Sequence, residues 1–156
     1  MTLMRLDRIG SPDHRPGRLR PAREADLYFL PHWRTAYRRD CGMQAESLAA
    51  AELTVREQLR AGRLFLWEAD TPKAMAAIGR VQDVGASVSG VYTPPALRGQ
   101  GFATACVSAL CRKLLEEGHS ACLLYADEKN PVSNHIYSKI GFIPLCGSAE
   151  YRIVDL

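Results

Sequence analysis

Two segments of this 156-residue chain carry residue types spaced for chemistry. The first is Val91-Tyr92-Thr93-Pro94-Pro95-Ala96-Leu97-Arg98-Gly99-Gln100-Gly101-Phe102-Ala103-Thr104, which leads from a strand-like run through a turn with two glycines into a helical pattern. Amides in the first turn of a helix have no acceptor within the helix and carry partial positive charge, so they suit a phosphate or diphosphate. Gly99 and Gly101 remove the Cβ atoms that would hold a ligand off the backbone, and Arg98 adds a cation. An ordinary strand-to-helix turn explains the glycines equally well. Two nucleotide-loop patterns fail on spacing: Thr104 stands where a dinucleotide fingerprint needs its third glycine, and the Gly-Lys-Ser/Thr of a Walker loop is missing.

The second segment is Asn130-Pro131-Val132-Ser133-Asn134-His135-Ile136-Tyr137-Ser138-Lys139-Ile140-Gly141-Phe142. It also follows a strand-like run and opens a helix, so in a parallel sheet its start lies at the same carboxyl edge as the first loop. Asn130 suits a helix N-cap. Tyr137, two turns in, reads as a packed amphipathic residue. A phenol of pKa about 10 is also able, in its neutral form, to protonate a departing thiolate of pKa about 8.5.

The remaining pattern supplies the elements that must position these segments. Residues 1–16 lack periodicity and contain Gly10, Pro12 and Pro16, which reads as an irregular basic arm. A short strand is expected at Arg18–Pro21, then a helix over Ala25–Arg39 that Pro31 kinks or restarts. Leu48, Ala51, Val55 and Leu59 give Gln44–Ala61 a helical period, with Gly62 as the stop. Three strands follow, Leu64–Trp67, Ala74–Val81 and Ser87–Thr93, joined by short polar turns as an antiparallel meander. A helix runs from the glycine loop to Glu117, Ala121–Ala126 is a strand, Pro131–Ile140 a helix, and Phe142–Leu145 and Tyr151–Val154 close the order. Strand, helix, strand in the second half implies a parallel crossover. The class is a single-domain α/β fold, residues 17–156, with a mixed sheet.

Composition excludes the extremes. Apolar residues make up 47% and charged residues 24%, the balance of a soluble globular domain rather than a disordered tail or disulfide scaffold. The net charge of +3 is too small to argue for nucleic acid, although residues 1–40 hold nine arginines against five acids. Five cysteines without a CxxC spacing, no signal-peptide pattern and no membrane-length apolar run point to a reduced, cytoplasmic setting.

Arg98-Gly99-Gln100-Gly101-Phe102-Ala103 resembles the Arg/Gln-x-x-Gly-x-Gly/Ala loop of the GNAT superfamily of acyl-CoA-dependent N-acyltransferases. Asn130, Ser133, Tyr137 and Gly141-Phe142 resemble the family's Asn-x-x-Ala/Ser-x-x-x-Tyr-x-x-x-Gly-Phe segment. Val91–Pro95 and Leu124–Asp127 resemble a subgroup of uncharacterised predicted acetyltransferases, some with an added N-terminal region, so the chain is either a short form or a fragment.

The resemblance implies an antiparallel meander plus a parallel βαβ unit with a splayed central strand pair, and acetyl-CoA as cosubstrate without a metal. The backbone of Val91, Tyr92 and Thr93 would pair with the pantetheine arm, and a strand amide near Tyr92 would polarise the thioester carbonyl. Amides of Gly99, Gln100, Gly101, Phe102, Ala103 and Thr104, with Arg98, would hold the diphosphate. Asn130 and Ser133 would complete the cofactor site, and Tyr137 would be the general acid as an amine attacks the thioester directly.

The general base is open between Asp83, Glu68, His119 and Asp127, since the strand before the loop offers only Ser87 and Ser89. The acceptor site would lie in residues 25–47, where His32, Trp33, Tyr37, Arg38 and Arg39 suit either an anionic or aromatic amine or simple packing. A homodimer is in keeping with the family. Competing readings are a coenzyme A-binding sensor without turnover, and a nucleic-acid or ribosome binder using the basic arm, whose affinity would fall steeply with salt.

Overall fold

The computed structural model describes residues 1–10 and 15–145. Seven strands form one mixed sheet in the order β2-β3-β4-β5-β6-β1-β7. In chain order these are β1 (Thr2–Leu6), β2 (Arg18–Pro21), β3 (Leu64–Glu68), β4 (Pro72–Gln82), β5 (Gly85–Tyr92), β6 (Cys122–Ala126) and β7 (Ile143–Pro144). The helices are α1 (Leu30–Asp40), α2 (Leu48–Arg60), α3 (Phe102–Glu116) and α4 (Pro131–Ile140). None of the described helices is long and apolar enough to cross a membrane.

Strict alternation sends each central strand's side chains to two cores. Phe65 and Trp67 of β3 with Ala74 and Ala76 of β4 face α3, which brings Cys106, Val107, Leu110, Cys111 and Leu114 against them. The alanines leave room for the helix to approach. Leu64, Leu66, Met75 and Ala77 face the other way and pack with Leu30 of α1 and Val55 of α2. Ser47 caps α2, its hydroxyl accepting the Ala50 amide at 3.0 Å, so the helix starts four residues after the expected Gln44. Ala25–Arg39 is likewise not one helix. A 3-10 turn, Glu24–Tyr28, precedes α1, and Pro31 sits in the first turn of α1, where its missing N–H costs no hydrogen bond.

The main correction concerns residues 1–16. Thr2–Leu6 is not an irregular arm but an interior strand, antiparallel to both β6 and β7. Leu3, Met4 and Leu6 are buried, and Arg5 between them pairs with Asp7 at 2.8 Å on the open side. The run is too short for a periodic signal, and the partner that buries it lies about 120 residues away. The expected strand at Tyr151–Val154 falls outside the described residues.

A buried ion cluster fixes the other edge. Arg20 on β2 makes a fork with both carboxylate oxygens of Asp26, at 2.7 and 2.9 Å, and its Nε bonds Glu68 on β3. Asp26 also accepts the Arg23 amide at 2.9 Å. Burial pushes the Asp26 carboxyl up, and the bonds from Arg20 and Arg23 more than undo this, leaving it below its ordinary value.

Candidate functional site

Between β4 and β5 the register slips: Met75 pairs with Tyr92 and Ala77 with Ser89, so Ala76 alone stands opposite Gly90 and Val91. Gly90 has φ +62°, a left-handed conformation that a β-bulge requires and glycine adopts freely. The extra residue reverses the faces beyond it. Ala86 and Val88 point toward α3, as does Val91, whereas Tyr92 turns into the α1 side and meets the Trp33 ring at 6.0 Å.

On its other side β5 pairs in parallel with β6 only at Ala86–Cys122 and Ser87–Leu123. The rest of β5 and β6 forms no ladder with one another, so the two central strands splay toward their carboxyl ends. Both sequence-derived segments sit at that edge.

The glycine loop begins with Pro94-Pro95, which turns the chain into a 3-10 step closed by Leu97 N–H to the Pro94 carbonyl at 2.9 Å. Gly99 and Gly101 take φ of +78° and +82°, and Gly101 is the N-cap of α3, its carbonyl accepting the Ala105 amide at 3.0 Å. The first-turn amides of Phe102, Ala103 and Thr104 therefore point out of the helix end without intrahelical acceptors. No acidic residue occupies that turn.

Arg98 turns back toward the fold: its Nε donates to the Thr93 carbonyl at 2.8 Å, its Nη2 pairs with Asp40 at 3.0 Å, and the guanidinium lies 5.6 Å from the Tyr92 ring centroid. It thus ties the loop to the end of β5 and to the end of α1. Gln100 offers its carbonyl to the Arg15 guanidinium.

At the start of α4, Asn130 caps the helix through its Oδ1, which accepts the Ser133 amide at 3.2 Å. The capping side chain still has an NH2 group with two donors. Tyr137 is partly buried, edge-on to Phe142 at 6.0 Å. Burial, with Tyr37, Cys41 and Cys111 nearby, pushes its phenol up to about 12. Tyr37 on α1 is also raised, first by burial and then by the neighbouring Cys41 thiol, with a hydrogen bond to the Gly90 backbone acting the other way.

Thus Tyr37 and Cys41, one helical turn apart, join Tyr137 and the bulge. Sequence reasoning put Tyr37 with the acceptor helix and Cys41 at a helix stop. The i, i+4 spacing that gives them a common face was the available signal.

Of the carboxylates and histidine considered as bases, Asp127 alone lies at the carboxyl end of β6, where its Oδ1 accepts the Lys129 amide at 2.9 Å. Asp83 and His119 are at the amino ends of β5 and β6, about 25 Å of strand away from the loop by the usual rise per residue. Glu68 belongs to the Arg20 cluster.

The FR47-like protein family model matches residues 65–153. The fold is similar to that of a predicted acetyltransferase with acetyl-CoA from Clostridium acetobutylicum, at 21% identity over 84% of this chain and 92% of the other, TM-score 0.66. It is similar to a GCN5-related N-acetyltransferase from Ralstonia eutropha JMP134, at 24% identity over 83% and 94% of the two chains, TM-score 0.62. An acetyltransferase from the GNAT family of Colwellia psychrerythraea aligns with TM-score 0.73 at 13% identity, covering 92% of this chain but 51% of that one. At these identities the likeness is one of fold. No curated protein sequence matches significantly.

Proposed function

Because the chain belongs to the FR47-like family, we propose that it is an acetyltransferase moving the acetyl group of acetyl-coenzyme A to a primary amine. The observation that carries the reading is the wedge between β5 and β6, paired over two residues only, with the glycine loop and Tyr137 at its mouth. Residues Val91–Thr93 form the strand wall along which the pantetheine arm lies, and amides from Gly99 to Thr104 hold the diphosphate. Asn130 and Ser133 bound the arm from α4. The bulge at Gly90 directs backbone donors toward the thioester carbonyl, whose oxygen gains charge as the amine adds.

The amine nitrogen bonds to the carbonyl carbon, the carbon–sulfur bond breaks, and one amine proton must reach the sulfur. Tyr137, with its phenol at about 12, stays protonated and donates a hydrogen bond to the departing sulfur. Full transfer to a thiolate of pKa about 8.5 is uphill by roughly 5 kcal/mol, so its proton moves only as the amine proton is released. Asp127 is the carboxylate best placed to receive that proton through water.

The test is ligand-dependent thermal shift with acetyl-coenzyme A, followed by thiol release against a panel of primary amines. Ligand at 100 times its dissociation constant adds about 2.7 kcal/mol to stability, a shift that Gly101→Glu should abolish. A folded wild type that shows no shift would overturn the reading. Binding without thiol release on any amine would leave a coenzyme A-binding protein.

A further inference from the structure

Beside the glycine loop, on the side of the β3–β4 turn, lies a cleft of about 290 Å³ lined by Arg15, Pro16, Asp70, Lys73, Gln100 and Phe102. Two cations from distant parts of the sequence converge there on the start of α3. The Arg15 guanidinium rests where a Cβ on Gly101 would fall, and its Nη1 donates to the Gln100 carbonyl. The Lys73 ammonium stands 5.8 Å from the Phe102 ring centroid, with its side chain only 14% exposed. Its partner Asp70, at 2.9 Å, is 80% exposed, facing solvent.

The arrangement is electrostatically adverse as it stands. The amino end of a helix carries positive partial charge, and cations are normally excluded from it. Here two cations meet that end, no acidic residue sits in the first turn, and one exposed carboxylate balances one of the two. An anion placed among the first-turn amides, Arg15 and Lys73 reverses the sign of every one of these interactions.

We propose that this cleft receives a phosphate from the nucleotide end of coenzyme A, held by Arg15 and Lys73. The inference rests on the acetyl-coenzyme A reading above and assigns two residues that neither motif contains. Coenzyme A offers two sources of such a phosphate, the 5′-diphosphate and the 3′-phosphate.

The experiment is calorimetric titration of coenzyme A and 3′-dephospho-coenzyme A into wild type, Arg15→Ala, Lys73→Ala and Lys73→Gln, each checked by its thermal melt. Lys73→Gln removes the charge while keeping the stem over Phe102. A charge-assisted bond at a partly exposed site supports a loss of about tenfold in affinity for each substitution. A loss confined to coenzyme A identifies the 3′-phosphate as the occupant, and an equal loss for both ligands identifies the diphosphate. Affinities within twofold of wild type for both ligands, in variants that melt normally, would overturn the proposal and leave acetyl-coenzyme A binding intact. A wild type that binds neither ligand would overturn the underlying functional reading as well.

Discussion

Replacing Asp26 with asparagine tests how β2 is held on the sheet. The substitution preserves shape but removes the charge opposite a guanidinium whose side chain is 9% exposed. Breaking one partner out of a buried pair costs about 3–5 kcal/mol, because the surviving charge stays buried. Arg20 keeps Glu68, whose side chain is 23% exposed and partly screened by solvent, so the expected cost is at the lower end, about 3 kcal/mol. For a chain of this size that corresponds to a fall in Tm of roughly 6–12 °C.

The pH dependence follows from the lowered carboxyl of Asp26. A group whose folded pKa is depressed contributes its stability above the unfolded value, about 3.9, and loses it as pH falls through the folded value. The gap between wild type and Asp26→Asn should therefore be full at pH 6–7 and close in acid, below about pH 4. Urea denaturation at both pH values measures it. A difference below about 0.5 kcal/mol at neutral pH, the range of an ordinary surface substitution, would refute the assignment of this cluster as the clamp on β2.

Three further outcomes are expected. Leu6→Ala, at a residue only 1% exposed in the interior strand, should lower stability by about 2–5 kcal/mol in urea melts, whereas a solvated arm would tolerate it without change. Tyr137→Phe should leave acetyl-coenzyme A affinity unchanged in titration and reduce the rate of thiol release. With the phenol at about 12, loss of its proton should produce no alkaline fall in the wild-type rate below about pH 11. Gly99→Ala has open space around the new Cβ but a φ of +78°, so a cost of about 1–2 kcal/mol, measured by thermal unfolding, is expected from backbone conformation alone.

The parts of the fold carried by local signals were legible. The meander of β3, β4 and β5, the glycine loop, α3 and α4 all announce themselves within a dozen residues, and Pro131 and Gly141 bracket α4 where expected. What depends on distant partners was not. The burial of Thr2–Leu6 is decided by β6 and β7, and nothing local distinguishes that run from a loop. Arg98 was read as a ligand cation, yet its bonds to Thr93 and Asp40 depend on where α1 ends relative to the loop. The grouping of Tyr37 and Cys41 with Tyr137 likewise arises only when α1 crosses β5. Gly90 was the one local mark of the bulge, sitting within an otherwise alternating Val-Ser-Gly-Val run.

The place of β1 in the sheet governs the order in which the molecule can assemble. Thr2 pairs with Ala126 and Met4 with Pro144, so the first strand to leave the ribosome is among the last to find its neighbours. At the usual 5–20 residues per second the wait is about 6–25 s, and closing a loop of that length costs about 4 kcal/mol of chain entropy beyond a constant. Meanwhile an unpaired run of Leu3, Met4 and Leu6 is open to other chains. Arg5, the charge that interrupts it, is the kind of residue that keeps such a segment from adding to a foreign sheet edge. The same arginine that masks the strand from its hydrophobic pattern thus protects it until β6 and β7 arrive.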